Sequence, residues 1–151
     1  FLQEDAEKFR CRLESMVEMT GNLYYLPPVF SYPDMEEIDE KTWQAFLRKI
    51  IRETDYEVII LDLTEQVRGL FSLLELCDEI YSCIPKDGLA MAKMEQYKKL
   101  LSHIKKEDLL SKTKECKIPV FKEFSYQAAL YTHTELADYV QKLMEKEEED
   151  E

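Results

Sequence analysis

Apolar residues along this chain fall into two patterns: stretches in which they recur every three or four positions, and shorter runs that are apolar without interruption. Phe9, Leu13, Met16 and Val17 recur near the helical period and predict a helix over 5–19, stopped at Thr20-Gly21-Asn22 where glycine frees the backbone. Leu23-Tyr24-Tyr25-Leu26 is short and aromatic and runs into Pro27-Pro28, which predicts a strand ending at a loop. The stretch 29–38, with Pro33 and several acids, reads as a connection. Trp43, Phe46, Leu47, Ile50 and Ile51 form the buried stripe of a helix over 40–54. Glu57-Val58-Ile59-Ile60-Leu61-Asp62 is continuously apolar between acidic ends, the pattern of a strand covered on both faces.

A third helix is expected over 66–76, carrying Val67, Leu70, Phe71, Leu73 and Leu74 and enclosing Gly69. A strand over 79–84 follows, ended by Pro85-Lys86-Asp87-Gly88. The helix over 89–102 aligns Met91, Met94, Tyr97, Leu101 and Ile104, a spacing that reads both methionines as core. A short helix near 107–113 precedes a weak strand over 117–121, demoted by Pro119 toward an edge. Thr132 and Glu135 have capping-box spacing ahead of a terminal helix. Helices alternating with apolar strands predict an α/β fold, three layers of helix, sheet and helix on a mostly parallel sheet.

At 151 residues the chain is about one domain. Residues 1–144 read as a single α/β domain or the C-terminal part of a larger one, and 145–151 as an acidic, frayed tail. The hydrophobic fraction of 45% suffices for a core. A net charge of −12 repels phosphate backbones and anionic lipid heads, so direct nucleic-acid binding is not expected. No stretch reaches membrane-spanning length and no secretory leader opens the chain, so a cytoplasmic location is expected. Cys11, Cys77, Cys83 and Cys116 form no CxxC pair and neither histidine has a ligand-like neighbour, which argues against zinc. Cys77 and Cys83 sit in apolar company and read as buried core thiols.

Open parallel sheets take ligands beyond the C-terminal ends of their strands. That rule selects the loops at Pro27-Pro28, at Asp62 to Gln66 and at Pro85 to Gly88. Asp62, at the end of an apolar strand, stands where a carboxylate holds Mg²⁺ or its water beside nucleotide phosphates, or where it caps a loop. Asp62 and Glu65 lack a nucleophile or electrophile nearby in sequence, which argues against a hydrolytic pair. Gly21, Gly69 and Gly88 are the only glycines and none precedes a lysine, so a phosphate-cradling loop is missing.

The run Asp55-Tyr56-Glu57-Val58-Ile59-Ile60-Leu61-Asp62, followed by Leu74-Glu75-Leu76-Cys77-Asp78-Glu79-Ile80, resembles the DYxxIIDxP…LxxAD region of the ParA/MinD ATPases. Gly21-Asn22-Leu23-Tyr24-Tyr25-Leu26-Pro27 resembles their GLYVLPA strand, and Ile84 to Gly88 their following loop. Within that superfamily the chain is most similar to the CpaE/TadZ-like branch, which positions pilus-assembly machinery at the cell pole and includes degenerate ATPases. The likeness covers about 22–96. It implies a P-loop NTPase-like sheet, a homodimer, ATP and Mg²⁺ as cofactors of a full-length protein, and none for this chain alone. It also implies protein partners in a polar or pilus-assembly machine. By the same resemblance Asp62 lies on the Mg²⁺ side, while Pro85, Lys86, Asp87, Val120 and Phe121 lie near adenine.

Two departures stand out. The switch after Asp62 reads Leu63-Thr64-Glu65-Gln66, without the family's proline and glycine, and the deviant Walker A segment is missing. The chain alone is therefore not expected to hydrolyse ATP, and the full-length protein is at most a weak ATPase. A non-catalytic interaction or scaffold module on the same fold is the alternative. Without the strand that carries the phosphate loop, sheet edges would be left unpaired, so a longer natural protein is expected, with strand pairing between copies if the chain stands alone.

Overall fold

The computed structural model describes residues 2–28, 37–64, 67–85, 87–118 and 134–148, with side chains to 144. It is a mixed α/β fold of helices and two small sheets. Asp5 opens α1 (Ala6–Met16) by accepting the Lys8 amide at 2.9 Å, and Phe9 and Leu13, one turn apart, bury the inner face. The chain then leaves the helix earlier than its apolar pattern predicts. Val17 is extended, and Glu18–Thr20 (β1) pairs antiparallel with Leu23–Tyr25 (β2) around Gly21, whose φ of 61° a side chain would strain. Met16 and Met19 are therefore exposed.

Asp39 caps α2 (Glu40–Glu53) through the Thr42 amide at 2.7 Å. Leu47 and Ile50 are buried and Phe46 half-buried, but Ile51, expected on the same stripe, is 60% exposed. Lys49 takes a buried place instead. Its ammonium donates to the carbonyls of Leu2 at 3.0 Å and Glu4 at 2.6 Å, and lies 4.7 Å from the centre of the Phe9 ring. Charge burial is tolerated there because carbonyls and a π-face replace water. Phe9, Leu13 and Ile50, with Val17 and Phe46 against them, form the first core.

The third helix is shorter than expected. α3 spans Leu70–Leu76, and Gly69 stands before it in the left-handed region (φ 73°) rather than inside it. A side chain at Gly69 would meet the Glu40 Cγ at 2.6 Å, so this glycine lets the start of α3 lie against the start of α2. The second core belongs to a strand–helix–helix–strand unit. β3 (Ile80–Pro85) leads through α4 (Gly88–His103) and α5 (Asp108–Ser111) to β4 (Thr113–Ile118), which pairs with β3 in parallel from Ile80↔Thr113 to Pro85↔Ile118. Ile80 packs on Leu101 and Leu109, while Ile84 packs on Ala90 and Met94, so one face of β3 is covered by the connection itself. α4 ends in a Schellman motif, with Lys106 donating to Leu101 and Lys105 to Ser102 and with Lys105 at φ 58°. At the start of α6 (Glu135–Glu148) the Ala137 amide donates to the Thr134 hydroxyl at 3.3 Å; Thr132, expected to open a capping box, lies outside the described residues.

The expected central strand over 57–62 is not a strand. The segment makes no ladder among the described residues, with Val58 76% and Ile60 82% exposed. Ile59 (37%) and the half-buried Leu61 are less exposed than Val58 and Ile60, so the exposure alternates where cover on both faces was expected. Among the described residues no strand lies beside it. β3 and β4 pair with each other along one edge each, and the hairpin strands pair between themselves. No helix of the described residues is long and apolar enough to cross a membrane.

Candidate functional site

A cavity of about 280 Å³ lies beyond the C-terminal ends of β3 and β4. Ile84 and Pro85 bring the end of β3 to it, Gly88 and Met91 the first turns of α4, and Glu115 and Lys117 one face of β4. Local sequence explains the geometry. Proline at 85 ends the ladder, the Asp87 amide donates back to the Pro85 carbonyl at 2.9 Å, and the Asp87 carboxylate caps α4 by accepting the Ala90 amide at 2.7 Å. Pro85, Asp87 and Gly88 thus supply both the helix cap and part of the cavity wall. Met94 is buried in the core as its spacing predicts, but Met91 is 59% exposed and borders the cavity instead.

Charge at the rim is organised by Lys98. Its ammonium bonds Glu115 at 2.8 Å and Glu95 at 3.1 Å, joining α4 to β4 beside the opening. The hydrogen bond from Lys98 holds the Glu115 carboxyl below the usual carboxylate range. The same bonds, Glu115's first, raise the Lys98 ammonium above the ordinary lysine value. Among the described residues the lining carries three carboxylates and the ammonium of Lys117 beside the apolar Ile84 and Met94, with Glu95 and Glu115 paired to Lys98 and Asp87 capping α4. The remaining excess of negative charge disfavours a polyanion. The volume lies just under the roughly 300–1,000 Å³ of typical ligand pockets, room for a ring system rather than a whole nucleotide.

The residues singled out by sequence are only partly brought together here. Pro85 and Asp87 line the cavity. Lys86, Val120 and Phe121 lie outside the described residues, as does Glu65. Asp62 is exposed at the end of the unpaired segment and is not in the cavity wall. The expectation that it closes a buried strand is corrected with the strand itself. No group of three or more His, Cys, Asp or Glu positioned for a metal ion occurs among the described residues. Glu95, Glu115, Lys117 and Met91 were not recognised as site residues. A signal for them does exist: Glu95 lies two turns past the Asp87 cap, and Glu115 and Lys117 flank the buried Cys116 on a strand running to the same end.

A second, wider groove of about 810 Å³ separates Val67, Leu70 and Phe71 from Lys93, Tyr97 and Leu100, and its lining includes none of the residues that the resemblance assigns to a ligand. Burial pushes the Tyr97 phenol above its ordinary value. Comparison with protein-family models, with curated proteins and with solved structures finds no match for this chain.

Proposed function

We propose that this chain is the C-terminal part of an ATP-binding spatial regulator of the ParA/MinD type, closest to the CpaE/TadZ-like branch, and that the cavity beyond β3 and β4 receives the nucleotide's base. One observation carries the reading. Pro85 and Asp87, two of the five residues that the resemblance assigns to the adenine side, border an apolar cavity at the ligand-taking end of a parallel strand pair. The carboxylate excess at the rim supports a base over a phosphate, so the triphosphate extends away toward other parts of the full-length protein. ATP and Mg²⁺ are that protein's cofactors, with Asp62 assigned to the Mg²⁺ side by the resemblance alone. Its fold is the three-layer, mostly parallel, P-loop NTPase-like sheet. It works in the cytoplasm as a homodimer with proteins of a polar or pilus-assembly machine. The described chain has no Gly-Lys loop and contributes binding rather than hydrolysis.

Calorimetric titration of the full-length protein with Mg-ATP tests this. Gly88 borders the cavity and a Cβ added there meets no atom within 4 Å, so Gly88→Leu adds bulk at the cavity wall. It is expected to weaken Mg-ATP by at least about tenfold, the loss of roughly 1.4 kcal/mol of binding. Unchanged affinity removes the base site. If the unmodified protein takes no Mg-ATP, the nucleotide reading fails as a whole. The second reading, a non-catalytic interaction or scaffold module, then stands, supported by the switch without proline and glycine and by the exposed Val58 and Ile60.

A further inference from the structure

Cys83 and Cys116 are 33 positions apart in sequence, yet the parallel ladder sets them directly opposite each other. Neighbouring strands in a sheet lie about 4.8 Å apart, and paired residues project to the same face. A separation of that order falls inside the roughly 4.4–6.8 Å between Cα atoms that a disulfide spans. Side chains do meet across this ladder on this face. Two residues earlier, at the pair Tyr81↔Lys114, the Lys114 ammonium lies 5.5 Å from the centre of the Tyr81 ring. All four cysteines are thiols, with no disulfide among them. The two sulfurs differ in access. Cys83 is exposed, against the expectation of a core thiol, whereas Cys116 is only 2% exposed.

We propose that Cys83 and Cys116 form an oxidisable dithiol, a modification site that closes to a disulfide across β3 and β4. This goes beyond the nucleotide reading and does not depend on it. The oxidant is a hydroperoxide. The Cys83 thiolate attacks the peroxide O–O bond, taking one oxygen as a sulfenic acid and releasing the other as water or an alcohol. The Cys116 sulfur then attacks the Cys83 sulfur; the S–S bond forms, the S–O bond breaks and hydroxide leaves as water with the Cys116 proton. Two thiols supply the two electrons that the peroxide takes up. A bridge between directly paired positions is held by the ladder rather than by its own preferred geometry, so it is readily reversed by a dithiol reductant.

The test treats the full-length native protein with hydrogen peroxide, blocks remaining thiols and maps the peptides by mass spectrometry. The expected product has lost two hydrogens, contains one Cys83–Cys116 linked peptide pair and returns to the starting mass with dithiothreitol. Cys83→Ser, a change at an exposed position, abolishes the link. Cys77→Ser leaves it intact, since Cys77 belongs to another element and burial pushes its thiol up. The trivalent arsenical phenylarsine oxide, which needs two adjacent thiols, binds the unmodified protein at one per chain and the Cys83→Ser variant at none. A sulfinic acid at Cys83 with Cys116 still a thiol, a link from either to Cys11 or Cys77, a link between two chains, or no uptake of the arsenical overturns the proposal.

Discussion

Two segments of this chain are written in nearly the same alphabet and end up in opposite states. Val58-Ile59-Ile60-Leu61 and Ile80-Tyr81-Ser82-Cys83-Ile84 are both rich in β-formers. The second is a strand, buried at Ile80 and Ile84, and the first is extended, unpaired and largely exposed. What separates them is chain connectivity. β3 is followed by a helical connection that folds back over its face and delivers β4 to its edge. The segment over 58–61 is followed by Asp62 to Thr64 and then by α3, and no described strand returns to it. Apolarity states a need for cover; a returning strand meets it.

The sharpest way to break that contrast is a pair of truncations. Leu101→Ala removes a fully buried side chain that joins α4 to Ile80 and Leu109, and should cost about 2–5 kcal/mol in urea unfolding. Ile60→Ala, at a site 82% exposed, should stay within about 0.5 kcal/mol. Equal losses would mean that the segment over 58–61 is core after all. Next in size is Gly69→Ala, where left-handed backbone alone costs about 1–2 kcal/mol and the new methyl presses on Glu40. A neutral result would separate α3 from α2.

The smallest effect is the pH dependence of the Lys98–Glu115 contact. Glu115 titrates below its ordinary range when folded, so its contribution is present above that range and fades as pH falls through the folded value. Lys98 titrates above its ordinary range, so its contribution is present below that range and fades as pH rises through its own folded value. The melting temperature of Glu115→Gln should therefore fall below that of the parent at neutral pH and converge with it at both extremes. A gap that persists in strong acid would assign the loss to something other than this pair.

The same contrast explains what was legible in the sequence. α2 and α4 were readable because apolar stripes at the helical period are local signals. β3 and β4 were readable in outline, the second displaced to Thr113–Ile118. The state of the segment over 57–62 was not, because its apolar run carries no information about which strand should lie beside it. The meeting of Cys83 with Cys116 was likewise invisible, since register across a helical connection is fixed by how α4 and α5 pack and not by any spacing motif. Of the cavity, the Pro85–Gly88 loop was foreseen, and the wall supplied by Met91, Glu95, Glu115 and Lys117 required the fold. The early end of α1 was missed because Met16 and Val17 fit a helix as well as they fit the approach to a hairpin.

The ammonium of Lys49 offers a use beyond its part in the core. With its protons committed to the Leu2 and Glu4 carbonyls and the Phe9 ring above it, it is shielded from acylating reagents that decorate solvent-facing amines. Its labelling by an activated ester thus becomes a clock for opening of the α1–α2 pair, running at the pace at which those helices come apart while Lys8 and Lys41 react at once.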